Sequence, residues 1–119
     1  MADRPPYVDP AELAIALGVD PTDPRLVRVT TAASAVVDAY YGAATVAAKL
    51  PYDVEDPPVA WPPAVVEAAF TIATDMWRRP STPGGYFQVV DYVGRLSADP
   101  TSQVATLLDS LGRLEWPVA

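Results

Sequence analysis

The side chains able to do chemistry in this sequence are carboxylates. Its 119 residues include no histidine and no cysteine. The chain therefore lacks the commonest general base and metal ligand, any thiolate nucleophile and any disulfide framework. Glu67 with Asp75, and Asp91 with Asp99, are the pairs that offer a general acid and base. Neither pair comes with a nucleophile, base and orienting group. Ser81-Thr82-Pro83-Gly84-Gly85 reads as a flexible hinge, not as a glycine-rich phosphate loop following a strand. Solvated surface carboxylates are the better account of all four acids. The expectation is a protein that is not an enzyme and takes no cofactor and no metal. Arg78 and Arg79 are the one adjacent basic pair. They either anchor an acidic partner or complement the carbonyl end of a helix.

Charge and composition narrow the classes further. A net charge of −7 and a pI near 4.2 argue against a surface that grips nucleic-acid phosphates. Half the residues are hydrophobic, so the chain is not intrinsically disordered. Many of these are Ala and Val, which bury little area each, and a thin core favours association with other copies or partners. The start MADRPPYVDP lacks the basic and apolar regions of a signal peptide. No apolar run approaches the roughly 20 residues that span a bilayer. The expectation is a soluble intracellular domain without a membrane partner.

The elements that must position these side chains are helical. The stretch Trp61–Gly85 organises the rest: prolines open it, and Val66, Ala69, Phe70, Ala73, Met76 and Trp77 recur at helical spacing. Val65 and Ile72 widen that stripe, Arg78 and Arg79 close it, and Pro80 stops it. Before it, Asp9-Pro10-Ala11-Glu12 starts a short helix that Gly18 ends. Asp23-Pro24 then starts a long one, with Leu26, Val29, Ala33, Val36, Val37 and Tyr40 on its apolar face, breaking near Gly42. Ala43 to Leu50 adds a further helical turn or two. Residues 51–63 hold five prolines among Asp53, Glu55 and Asp56, an acidic and stiff extended connector.

Beyond Gly85, Tyr86-Phe87-Gln88-Val89-Val90-Asp91-Tyr92-Val93 is aromatic and β-branched, which favours extended structure. Asp99-Pro100 caps a last helix carrying Val104, Leu107, Leu108 and Leu111, with Gly112 at its end. The predicted fold is all-α: one domain over residues 1–119, a small bundle of about four helices. A long extended loop or short strand at 80–98 separates the last two helices, and 113–119 is a C-terminal tail. An isolated apolar strand leaves its edge unpaired. It either folds back over the bundle or pairs with the same segment of a neighbouring copy.

The order of these signals resembles the head-to-tail connector (head-completion adaptor) proteins of siphovirus-type tailed phages. The matching residues are Tyr7-Val8-Asp9-Pro10-Ala11-Glu12-Leu13 with Leu17-Gly18, the long helix ending at Tyr40-Tyr41-Gly42, and the Pro62–Arg79 helix followed by Pro80-Ser81-Thr82-Pro83-Gly84-Gly85. The leucine-rich final helix completes the pattern, which spans most of the chain. The resemblance implies a structural virion protein at the head–tail junction, assembled in the host cytoplasm as a homo-oligomeric ring, usually twelvefold. Such a ring docks on the portal protein, offers a surface to a stopper or tail-completion protein, and lines the channel through which DNA passes without specific binding. By segment, it places subunit contacts at Arg78, Arg79, Tyr86, Phe87, Val89, Val90, Tyr92 and Val93. Portal contacts fall at Leu107, Leu108, Leu111, Leu114 and Trp116. The acidity suits a channel that must not hold phosphate. The alternative is a small acidic helical interaction module of a bacterial host, a regulator or antitoxin-like binder.

Overall fold

Aspartate–proline pairs set the first two helices. In the computed structural model, which describes residues 4–78, 86–99 and 101–115 and side chains within 4–78, 89–99 and 101–110, α1 spans Pro10–Leu17 and α2 spans Pro24–Tyr41. The Asp9 carboxylate accepts the Ala11 N–H at 2.9 Å. The Asp23 carboxylate accepts the Arg25 N–H, also at 2.9 Å, and pairs with the Arg25 guanidinium. Each acid thus satisfies a first-turn donor that has no partner within its helix. Gly18, at φ +69°, closes α1. Its N–H donates to the Ile15 carbonyl and the Val19 N–H to the Ala14 carbonyl, the paired bonds that glycine's left-handed conformation permits.

A single residue separates α2 from α3 (Ala43–Lys49). Gly42 donates its N–H to the Asp38 carbonyl at 2.8 Å, and its own carbonyl accepts the Val46 N–H at 3.0 Å. It ends one helix and begins the next at φ +88° and ψ 155°, a region essentially restricted to glycine. The proline-rich connector that follows is not stiffly extended throughout. The Asp53 carboxylate accepts the Glu55 N–H at 2.9 Å and the Asp53 carbonyl accepts the Asp56 N–H, so the acidic side chain folds its own backbone into a turn.

Helix α4 (Pro63–Trp77) shares the centre of the bundle with α2. It packs on α2 along one side and on α6 (Gln103–Glu115) along another. Val65, Ala68, Ala69, Ile72, Ala73 and Met76 are its fully buried residues. The expected stripe is therefore turned by about one position: Phe70 and Trp77 pack half-buried at its rim, and Val66 is half-buried too. Contact with two neighbours selects the face between them. Opposite lie Leu26, Val29, Ala33, Val36 and Val37 of α2, with Val104, Ala105 and Leu108 of α6.

Residues Tyr86–Ala98 form helix α5, not the extended loop or strand expected over 80–98, and no strand occurs among the described residues. Val89, Tyr92, Val93 and Leu96 recur at three-and-four spacing and pack into the core. α5 lies chiefly against α2. The Asp91–Arg95 ion pair braces its outer side at 2.8 Å, one helical turn apart. Burial along a helical period outweighs the β-branched composition, whose preference depends on context. Counting α3 and α5, the described residues hold six helices rather than about four. The all-α class stands.

The last helix starts later than Asp99-Pro100 suggests. The Ser102 hydroxyl accepts the Ala105 N–H at 3.2 Å as the cap of α6. Asp99 instead closes the preceding turn, accepting from the Thr101 hydroxyl at 2.7 Å. The helix continues through Gly112 to Glu115, so the expected tail begins at least three residues further on. Among the described residues no helix is long and apolar enough to cross a membrane.

Candidate functional site

The densest polar and aromatic cluster gathers around the irregular lead-in before α1. Arg4 reaches Asp38 on α2 at 3.3 Å, and also donates to the Tyr7 hydroxyl at 2.7 Å and to the Leu50 carbonyl at 3.0 Å. The Tyr7 hydroxyl donates onward to the other Asp38 oxygen at 2.5 Å. The Tyr7 backbone N–H donates to the Ser34 hydroxyl. The Arg4 guanidinium lies over the rings of Tyr7 and Trp61, at 5.4 and 5.3 Å from their centroids. Trp61 meets Tyr7 edge-on at 4.9 Å and tilts against Tyr52 at 5.9 Å. Burial first, and then the Asp38 carboxylate, push the Tyr7 phenol far above its ordinary value, although Arg4 opposes them.

Beside this cluster runs an open groove whose walls include Pro5, Pro6, Tyr52, Pro58 and Trp61, with Asp9 and Glu12 at its edge. A second groove, lined by alanines of α2 and α3 with Val46 and Tyr52, lies on the other side of Arg4 and Asp38.

Away from the groove, aromatic hydroxyls join the helices. Tyr40 donates to Asp109 at 2.7 Å and Tyr41 to the Leu108 carbonyl at 2.6 Å, fastening α2 to α6. Burial, and then the Asp109 charge, raise the Tyr41 phenol as well. Tyr92 donates to Asp75 at 2.6 Å, and the Arg25 guanidinium stacks 4.5 Å from the Trp77 centroid.

The four carboxylates singled out by spacing are not brought together as acid–base pairs. Asp75 accepts from Tyr92, Asp91 pairs with Arg95, Asp99 closes a turn, and Glu67 stands exposed on α4. Among the described residues, no group of three or more His, Cys, Asp or Glu is placed to hold a metal ion.

The candidate contact residues scatter between core and surface. Tyr92 is buried, while Val89 and Val93 are half-buried against the core. Val90, at 51% exposure, and Arg78 face outward. Arg79 lies outside the described residues, as do the side chains of Tyr86 and Phe87 at the start of α5. Of the candidate portal residues, Leu108 is fully buried and Leu107 packs half-buried beside it. The side chains of Leu111 and Leu114, and all of Trp116, lie outside the described residues. Tyr92 and Leu108 are therefore core residues of the chain, and the segment expected either to fold back over the bundle or to pair with a neighbouring copy is a helix without a free strand edge.

Sequence reasoning missed the Arg4–Tyr7–Asp38–Trp61 cluster. A signal was present: Arg4-Pro5-Pro6-Tyr7 and Ala60-Trp61-Pro62 place aromatics inside proline-rich segments outside the helices, where a large ring needs cover.

Compared with family models, curated proteins and solved structures, the chain matches none.

Proposed function

We propose that this chain is a structural virion protein, a ring-forming adaptor between the portal and the stopper or tail-completion protein, lining the channel through which DNA passes. The observation that carries the reading is the order of its helices. A short α1 opens on Tyr7-Val8-Asp9-Pro10, a long α2 ends at Tyr40-Tyr41-Gly42, α4 packs between α2 and α6, and α6 is leucine-rich. These match the residues through which the sequence resembles phage connectors. The core is also rich in Ala and Val, which bury little area each, so contacts with other copies or partners would add to its stability.

In such a ring, subunits meet through helix faces rather than by strand pairing. Of the candidate contact residues, Val90 and Arg78 are the described ones exposed enough to make that contact. Leu111, Leu114 and Trp116 remain candidates for the portal side. The acidic surface lets DNA slide past.

The test is mass measurement of the purified chain, alone and mixed with the portal protein of the same genome. The expected result is a ring, usually twelvefold, formed on the portal or without it, and weakened by Val90→Asp with helix content unchanged. A chain that stays monomeric in the presence of the portal overturns the reading.

A second reading, a small acidic interaction module of a bacterial host, is favoured by the acid-edged aromatic groove beside α1. Portal, capsid and tail genes flanking the coding sequence would remove it.

A further inference from the structure

The groove beside α1 has an unusual wall. Its lining includes Pro5, Pro6, Pro10 and Pro58, residues without a backbone N–H. Such a wall offers few donors to the carbonyls of an added strand, which disfavours β-addition. A polyproline-type segment makes no such demand, because its backbone stays hydrated and its conformation is already formed before binding. Tyr52 and Trp61, tilted 38° to each other at 5.9 Å, present the flat apolar surfaces on which pyrrolidine rings stack in aromatic-lined grooves. Val59, beside Pro58 in the same wall, is fully exposed.

The charges of the groove all have one sign. Asp9 and Glu12 are the charged residues of its lining, and both are exposed. Arg4, the cation nearest the rings, is paired with Asp38. The chain as a whole carries −7. A complementary ligand is basic.

We infer that the groove formed by Pro5, Pro6, Tyr52, Pro58 and Trp61 with Glu12 at its edge is a docking site for an extended, proline-containing segment of another protein that carries lysine or arginine. Prolines of the segment stack on Tyr52 and Trp61, and its cation sits against Glu12. Docking of this kind requires no ring, so it stands or falls separately from the adaptor role.

The experiment pans a random-peptide display library against the full-length chain and measures the enriched peptides by titration in solution. The expected consensus holds proline together with lysine or arginine. Glu12→Lys, on an exposed position that carries no core contact, weakens the enriched peptides by at least about fivefold, and added salt weakens them too. Tyr52→Ala weakens them at both low and high salt. Circular dichroism unchanged in both variants separates lost binding from lost folding. Absence of enrichment overturns the inference, as does an acidic or proline-free consensus, or a basic peptide that binds the Glu12→Lys variant equally well. Self-association of the chain through this face, abolished by Glu12→Lys, would show a second copy as the occupant and overturn it as well.

Discussion

The Tyr92 hydroxyl donates to Oδ2 of Asp75 at 2.6 Å, so α5 is fastened to α4 by an aromatic residue that is itself 6% exposed. A carboxylate that spacing alone offered as a catalytic acid is the acceptor of an interhelical bond. Tyr92→Phe keeps the ring and removes the donor. It should cost about 1–2 kcal/mol in urea unfolding, towards the lower end because water reaches Asp75 once the hydroxyl is gone.

Gly94 lies inside α5, and a Cβ built there meets nothing within 4 Å. Gly94→Ala should therefore stabilise the chain by about 0.5–1 kcal/mol, since alanine loses less backbone entropy in a helix. A loss of stability with reduced helical circular dichroism would contradict the helical form of this segment.

Gly42 requires the opposite outcome. At φ +88° and ψ 155° an L-residue is strained whatever space surrounds it, and Gly42→Ala should cost about 1–3 kcal/mol. The loss should appear as a lower urea midpoint, because the residue joins two helices that both pack on the bundle.

Leu108 is wholly buried between α6 and the rest of the core. Leu108→Ala should cost about 2–5 kcal/mol through lost contact and the cavity left behind, measured as a drop in the urea midpoint. The same change at half-buried Leu107 should cost distinctly less.

Alkaline pH should destabilise the chain through the buried Tyr7 and half-buried Tyr41 phenols. Tyr7 and Tyr41 both titrate above their ordinary value of 10.0, first because they are buried. Below that value both states keep the proton and the full stability is present. Above it the unfolded chain ionises while the folded chain resists, so stability falls as pH rises towards the folded values. At the acid end the sign reverses. Asp20, held low chiefly by bonds from Thr22, and Asp23, held low chiefly by Arg25, contribute above pH 3.8, and that contribution is lost as pH falls further. The urea midpoint of the Tyr7→Phe, Tyr41→Phe double variant should decline less between pH 9 and pH 11 than that of the parent chain.

Most helix beginnings were legible because the chain writes its caps in local code, although at α6 the cap is Ser102 and not Asp99. Asp9-Pro10 and Asp23-Pro24 are such caps, and the prolines before Ala64 start α4 at the expected place. Helix α5 was not, because Val89, Val90, Tyr92 and Val93 answer to two patterns at once. Their composition reads as strand, while the period through Val89, Tyr92, Val93 and Leu96 reads as helix, and packing against α2, with the bond to Asp75 of α4, decides. The turned face of α4 has the same cause, since a helix with two neighbours buries what lies between them. Among the candidate site residues, Tyr92 and Leu108 looked like contact residues because an apolar side chain reads alike at a core and at an interface. The Arg4 cluster was hidden by distance along the chain: Arg4 finds Leu50 across 46 positions and Tyr7 finds Asp38 across 31.

That same distance orders events in time. The lead-in at residues 4–8 has no helix or strand of its own, and its tertiary hydrogen bonds reach forward by 27 to 46 positions. It can close only onto α2 already standing beside Leu50, after the entropy of the intervening loop has been spent. Bonds of such sequence separation are expected to close after the folding barrier is crossed. Loosening Arg4 should hasten unfolding while leaving the refolding rate nearly untouched, which makes these few residues the latch on how long a folded subunit lasts.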